Sequence, residues 1–300
     1  NIPAGVYAVR IVSTQPIVAA VSDFDLPAAG VSGLASTPAW SWLGVNSGGA
    51  TQGRARGVIA DVQIQTGWTS VVSISNPGNT AATVTLSFIR NNLAPGQSPP
   101  TQTVTVFANS RTDFNLDAGV LGIPVGERFS VSYASTVGVG VQFTSIDQQG
   151  RNQATGVRGD GVGTSASSVV PQSVFFADGF TDPSRSNNTE VISVFNPFTD
   201  PNVNFSYTVT LSFTDGQTFS TSPTQVGSLR RSSLTIRDVG TFFGKITLGT
   251  QFRNYAITVT GTASGGVLGS TPVRVAGLCQ VTRPDTDTPA SLATHTPALP

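Results

Sequence analysis

From residue 58 to residue 145 the chain alternates apolar and polar side chains with a period of two. Val84, Leu86 and Phe88 fall on one side of a stretch whose other side is Thr83, Thr85 and Ser87. Phe129, Val131 and Tyr133 repeat the arrangement, as do Val137, Val139, Val141 and Phe143. Successive side chains of a strand point to opposite faces, so this period marks sheets packed on one face and wet on the other. Turn residues divide the stretch into seven predicted strands, at 58–64, 69–75, 81–90, 102–107, 111–117, 128–134 and 137–145. The prediction is an antiparallel β-sandwich, with a jelly roll as the alternative.

The pattern is written more than once. Ser70–Pro77 (Ser-Val-Val-Ser-Ile-Ser-Asn-Pro) aligns with Glu190–Pro197 (Glu-Val-Ile-Ser-Val-Phe-Asn-Pro), and Thr83–Phe88 is identical to Thr208–Phe213. Residues 110–117 pair with 230–238, and 57–62 (GVIADV) pair loosely with 174–179 (VFFADG). Residues 124–147 resemble 3–25 and, more loosely, 251–269, so the second half of the unit is found three times and the first half twice. The domain reading is a partial repeat at 1–25, a Gly/Ala/Ser-rich connecting loop at 26–57, a sandwich at 58–147, a second connecting loop at 148–170, a second sandwich at 171–280 and a Pro/Thr-rich tail or linker at 281–300. Seven short strands per unit suit an immunoglobulin-like sandwich. In Asn76-Pro77-Gly78-Asn79 the proline presets one corner and the glycine is expected to supply the positive φ of a type II turn.

Composition supports the β reading and narrows the function. Charged residues make up 11% of the chain, against roughly 25% in an ordinary soluble domain. Lys245 is the single lysine, and Glu127 and Glu190 are the two glutamates. That palette disfavours helices. Net charge is zero with no basic run, which argues against a nucleic-acid partner, since phosphate binding needs a basic face. No apolar run approaches the ~18 residues that span a bilayer. With no methionine in the sequence, Asn1 is expected to follow removal of a signal peptide or cleavage from a longer precursor. Cys279 is the one cysteine, so an internal disulfide is impossible; it reads as a small buried apolar residue near a strand end.

Catalytic constellations do not assemble. His295, the one histidine, lies in the Pro/Thr tail, where nothing holds it rigidly beside a nucleophile. The two glutamates sit in different repeats, and the glycines match neither a phosphate loop nor a dinucleotide fingerprint. The expectation is no enzyme and no cofactor. Calcium candidates are Asp147 with Asn152, Asp178 and Asp182 with Asn187, and the Asp23/Asp25 pair, because calcium takes loop oxygens; turn formation explains the same residues. Trp40 and Trp42, at i and i+2 in the first long loop, suit either a subunit contact or a platform for sugar rings. Asn187 and Asn204 begin glycosylation-type triplets.

The stretches SNPGNTAATVTLSF (75–88) and TVTVFANSRTDFNL (103–116) resemble the tandem immunoglobulin-like repeats of bacterial secreted and cell-surface proteins. The resemblance covers both full units, 58–147 and 171–280, and implies location and architecture more than activity. The expected function is a non-enzymatic, extracellular structural protein, a homo-oligomer or polymer forming part of a surface layer, stalk or filament. An adhesin or carbohydrate-binding module with a glycan or envelope partner is the second reading, and a viral or phage shell or fibre protein the third. An isolated hairpin at 5–12 and 16–24 would expose an apolar face. Tyr7, Val9, Ile11, Ile17 and Val21 are therefore expected, with Trp40 and Trp42, to contact a neighbouring subunit, one route being strand complementation.

Overall fold

The computed structural model describes residues 11, 20–24, 39–43, 54–91, 93, 97–147, 161–167, 170–181, 190–236 and 253–282. A hairpin of β1 (Ala20–Phe24) and β2 (Ala39–Leu43) comes first. The first sandwich holds β3 (Arg54–Gln63), β4 (Trp68–Asn76), β5 (Ala82–Arg90), β6 (Thr101–Val106), β7 (Ser110–Asn115), the one-turn helix α1 (Ala118–Leu121), β8 (Arg128–Asp147) and β9 (Gly161–Ser165). The second holds β10 (Ser173–Thr181), β11 (Val191–Phe195), β12 (Asn204–Phe213), β13 (Thr218–Ser220), β14 (Thr224–Val226), β15 (Arg231–Thr235), β16 (Arg253–Ser264), β17 (Val273–Arg274) and β18 (Leu278–Thr282). The fold is all-β with antiparallel pairing.

In the first sandwich one sheet runs β3, the N-terminal half of β8, β5, β6, and the other runs β9, the C-terminal half of β8, β4, β7. β8 is thus a single strand of 20 residues shared by both sheets, where the alternation suggests two strands at 128–134 and 137–145. The connecting residues Ser135, Thr136 and Val137 hold no turn signal, and a strand can change sheets at a corner without leaving extended conformation. The alternating residues of both sheets meet in a core that includes Val72, Ile74, Val84, Leu86, Phe88, Phe129, Val131 and Val141.

The second sandwich follows the same plan, with β10, β16, β12 and β13/β14 in one sheet and β15, β11, β18 in the other. Here the counterpart of β8 is broken. Between β16 and β18 the chain inserts a 3-10 turn at Gly266–Leu268 and the short β17. Residues 265–269, which by sequence resemble the second half of β8, leave the sheet, and Leu278–Thr282 takes the pairing position beside β11. Asp200, in the turn that is longer in this copy, fastens the insertion: its carboxylate accepts the Asn202 N–H at 2.9 Å and the Val267 N–H at 2.9 Å. Those backbone donors, Asn202 first, hold its pKa below the ordinary carboxylate value.

The repeated Asn-Pro is a strand staple. Asn76, buried, accepts the Gly78 N–H on Oδ1 at 3.0 Å and donates Nδ2 to the carbonyls of Thr80 (2.7 Å), Val106 (3.1 Å) and Phe107 (3.1 Å). Asn196 accepts the Phe198 N–H at 3.0 Å and donates to Val226 (2.8 Å) and Gly227 (3.0 Å). Gly78 does not take a positive φ, so the expected type II turn is replaced by a turn closed by the asparagine side chain. The positive φ falls instead on the facing residues, Asn109 (51°) and Leu229 (49°). Each donates its N–H back across the turn, to the Gly78 carbonyl at 2.9 Å and the Phe198 carbonyl at 3.1 Å. Phe198 can replace glycine because this geometry asks nothing special of position 78 or 198.

The stretches read as connecting loops contain strand. β2 lies within 26–57 and pairs with β1, Val21 opposite Trp42 and Asp23 opposite Trp40; β9 lies within 148–170 and pairs with β8. Residues 20–24, the end of the expected hairpin, therefore find a partner strand in the same chain at 39–43. The Gly/Ala/Ser-rich setting concealed it, because Ala-Trp-Ser-Trp-Leu is too short to show a period. β2 runs alongside β9.

Candidate functional site

Two strands break the one-face-wet pattern. In β3, Gly57 to Val62 are buried without interruption, and in β11 all five residues are buried. A strand buried on both faces is covered on both, and the cover here is the other sandwich. Val58, Ala60 and Ile89 of the first and Phe195 and Leu278 of the second form one buried apolar cluster, joined by Val170 from the connection. Ser167 leads into that connection, exchanging two backbone hydrogen bonds of 2.8 Å with Val58.

At the centre of this joint lies a carboxylate. The β3–β8 register slips between Ile59 and Val62, a bulge that lifts Ala60 and Asp61 out of the ladder and leaves their backbone groups in need of partners. Ser130 Oγ donates to the Ala60 carbonyl at 2.6 Å. Gln280 of β18 satisfies Asp61 from the other sandwich: Asp61 N–H donates to Gln280 Oε1 at 3.0 Å, and Gln280 Nε2 donates to the Asp61 carbonyl at 2.9 Å. The Asp61 side chain receives Arg128 from its own sheet on Oδ2 and Arg231 Nη2 from β15 on Oδ1 at 2.9 Å. Arg231 Nη2 also donates to Ser193 Oγ at 2.8 Å. Thus Arg231 and Gln280 grip one bulged residue, and Ser193, on the strand between theirs, holds Arg231 in place.

Arg231 and Asp61 have side-chain exposures of 0% and 1%. Burial lowers the Arg231 pKa and the Asp61 charge opposes that shift, the expected balance for a guanidinium out of water. Arg231 Nε and Nη1 meet no hydrogen-bond acceptor among the described residues. Around the rim, Asn91 Nδ2 donates to Ser233 Oγ at 2.6 Å and Arg230 Nη2 to the Gln97 carbonyl at 3.1 Å. Arg90 and Glu127 form a two-pronged pair at 2.6 and 2.5 Å. Several of the chain's few charges are thus concentrated where the sandwiches meet.

The residues singled out from sequence lie elsewhere. Ile11 is exposed; Val21, Trp40 and Trp42 are on the β1–β2 hairpin, the two tryptophans at alternate positions of β2. Tyr7, Val9, Ile17, Asp25, Asn152, Asp182, Asn187 and His295 lie outside the described residues. Asp147 ends β8, Asp178 sits in β10, and Asn204 opens β12 with an exposed side chain. Among the described residues no group of three or more His, Cys, Asp or Glu gathers to hold a metal ion, and no helix is long and apolar enough to cross a membrane. Cys279 lies on β18, partly buried against the second core, its Sγ 3.2 Å from the Ala276 carbonyl; burial pushes its thiol pKa up. Asp61, Arg231 and Gln280 went unnoticed, although the doubled Ala-Asp of GVIADV and VFFADG was their visible trace.

No protein-family model and no curated protein matches the sequence. Among solved structures, the chain is similar to Thermotoga maritima 1070 at 19% identity and a TM-score of 0.32, covering 38% of this chain and 94% of that one. It is similar to the Anabaena sensory rhodopsin transducer at 24% identity and a TM-score of 0.26, covering 30% and 92%. A Parabacteroides distasonis protein described as secreted matches at 11% identity and a TM-score of 0.19, covering 88% and 86%. At these scores the likenesses assign neither family nor function.

Proposed function

We propose that this chain is a non-enzymatic, extracellular structural protein, a subunit of a surface layer, stalk or filament built from β-sandwich modules of the immunoglobulin-like kind. The observation that carries the proposal is the joint around Asp61, where buried charge and apolar area serve to lock one sandwich onto the next. A joint of that kind holds modules at a set angle, which load-bearing or lattice-forming proteins require and independent modules on a flexible linker do not. Extracellular placement is supported by the low lysine content, the absence of methionine and the Ser/Thr/Gly-rich strands. Electron microscopy of the purified protein tests the proposal: filaments or sheets are expected, and monodisperse particles at all concentrations overturn it.

A further inference from the structure

The grip that closes the joint is built twice. Ser73, Arg111 and Gln142 occupy in the first sandwich the places of Ser193, Arg231 and Gln280 in the second: Ser73 lies opposite Gln142 across β4–β8 as Ser193 lies opposite Gln280 across β11–β18. Arg111 lies opposite Ser75 and Arg231 opposite Phe195, each the residue before the stapled asparagine, and each arginine donates Nη2 to its serine at 2.8 Å. Among the described residues no other sandwich covers this face in the first sandwich. β4 keeps its alternation, with Val71, Ser73 and Ser75 partly exposed, and Arg111 sits near the surface, paired with Asp113 at 2.8 Å.

The surface that such a grip holds is also built twice. β10 carries an Ala-Asp bulge between Phe176 and Gly179, matching Ala60-Asp61 between Ile59 and Val62. By the same register Asn254, opposite Phe180, stands where Arg128 stands opposite Gln63. Phe175, in the place of Val58, is 67% exposed, a large aromatic on a sheet face that in the first sandwich is closed.

We propose that a second copy of this chain docks head to tail through these two surfaces, its Ser73–Arg111–Gln142 face on the β10 bulge at Asp178, repeating the internal joint between molecules. This rests on the structural reading above and names its partner and contact. Size and residue type both fit. The internal joint combines Val58 with Phe195, whereas the external one combines Phe175 with Ser75, moving the bulky group across the contact. Asp178 holds in the β10 bulge the position that Asp61 holds in β3, and Arg111 holds that of Arg231, so the two residue types of the internal clamp are both present. Leu278 and Ile89 are replaced by Gly140 and Thr214, which makes the external joint less apolar and its assembly dependent on concentration. The contact joins unlike surfaces and, unless its rotation closes a ring, propagates an open chain.

A polarity test with the full chain decides it. Arg111→Glu spoils one surface and Phe175→Asp the other; both side chains are at or near the surface, and circular dichroism with thermal melting checks that the variants fold. In sedimentation velocity, wild type is expected to form species that lengthen with concentration, and each variant alone to associate at least ~10-fold more weakly, as loss of a central contact brings. An equimolar mixture is expected to form dimers and stop there, since one intact surface of each kind remains. Variants that assemble like wild type, or a mixture that fails to dimerise, overturn this contact and leave the structural reading standing. Wild type that stays monomeric overturns both.

Discussion

The sheet of β4, β7 and the C-terminal half of β8 and the sheet of β11, β15 and β18 present the same three polar residues in the same register, yet among the described residues only the second is closed by another sandwich and the first is the open face. The first reads Val71-Ser73-Ser75 along its centre and the second Val191-Ser193-Phe195. One exchange of serine for phenylalanine, together with Gly140 becoming Leu278, turns a wet face into one that must be covered. On the open face Arg111 is held by Asp113 of its own strand; on the closed face position 233 is serine, and Arg231 reaches across to Asp61 instead. The same side chain is a surface residue or a buried clamp according to what its neighbours leave for it.

The largest effect is expected from breaking the clamp. Asp61→Ala leaves Arg231 buried without its carboxylate and should cost about 3–5 kcal/mol, read in urea denaturation as a joint that opens before either sandwich melts. A single transition at the wild-type midpoint would show that the charges contribute nothing. Phe195→Ser copies the open face onto the closed one and should cost about 3 kcal/mol as the packed ring is lost, measured in the same way. The reverse change, Ser75→Phe, should leave monomer stability within about 0.5 kcal/mol, as surface substitutions usually do.

Alkaline pH tests the cores beneath the two faces. Burial raises the Tyr133 pKa to about 12, and Tyr207 shifts in the same direction for the same cause. The folded state then holds its phenolic proton after the unfolded chain has lost it, so Tyr133's contribution is whole below pH 10 and fades as pH rises from 10 to 12. About 2–3 kcal/mol is expected to go over that window, and thermal melts of Tyr133→Phe should fall off less steeply.

Two smaller changes sharpen the comparison. Leu229→Asn gives the second sandwich the residue that the first uses at this positive φ, and should stabilise by about 0.5–1 kcal/mol because asparagine tolerates the left-handed region. A loss of stability would mean that the Leu229 side chain packs more than its 40% exposure suggests. Asp113→Ser, which makes the open face match position 233, should change stability by less than about 1 kcal/mol, since the Arg111 pair is solvated.

Most strands were legible because alternation is a local property: Val84-Leu86-Phe88 and Phe129-Val131-Tyr133 fall inward wherever the sheet is placed. The repeat was legible for the same reason, down to the Asn-Pro that staples each turn. Two places misled. The 265–269 stretch resembles the second half of β8 but leaves the sheet, because the insertion that follows brings Leu278–Thr282 to the same pairing edge. Asn-Pro-Gly suggested a turn made by glycine, whereas the buried Asn76 amide makes it and the positive φ falls on Asn109, across the turn.

The sequence alone therefore determined the all-β class, the alternating core of each sandwich and the doubling of the unit, since each depends on residues a few positions apart. Only the tertiary structure decided that Asp61, 170 residues from Arg231 and 219 from Gln280, is the point where the halves lock. Nothing in a strand's own period records which face another module will cover. That outcome depends on whether a serine or a phenylalanine meets a bulge arriving from the other sandwich, and on the buried charges that must then be paired.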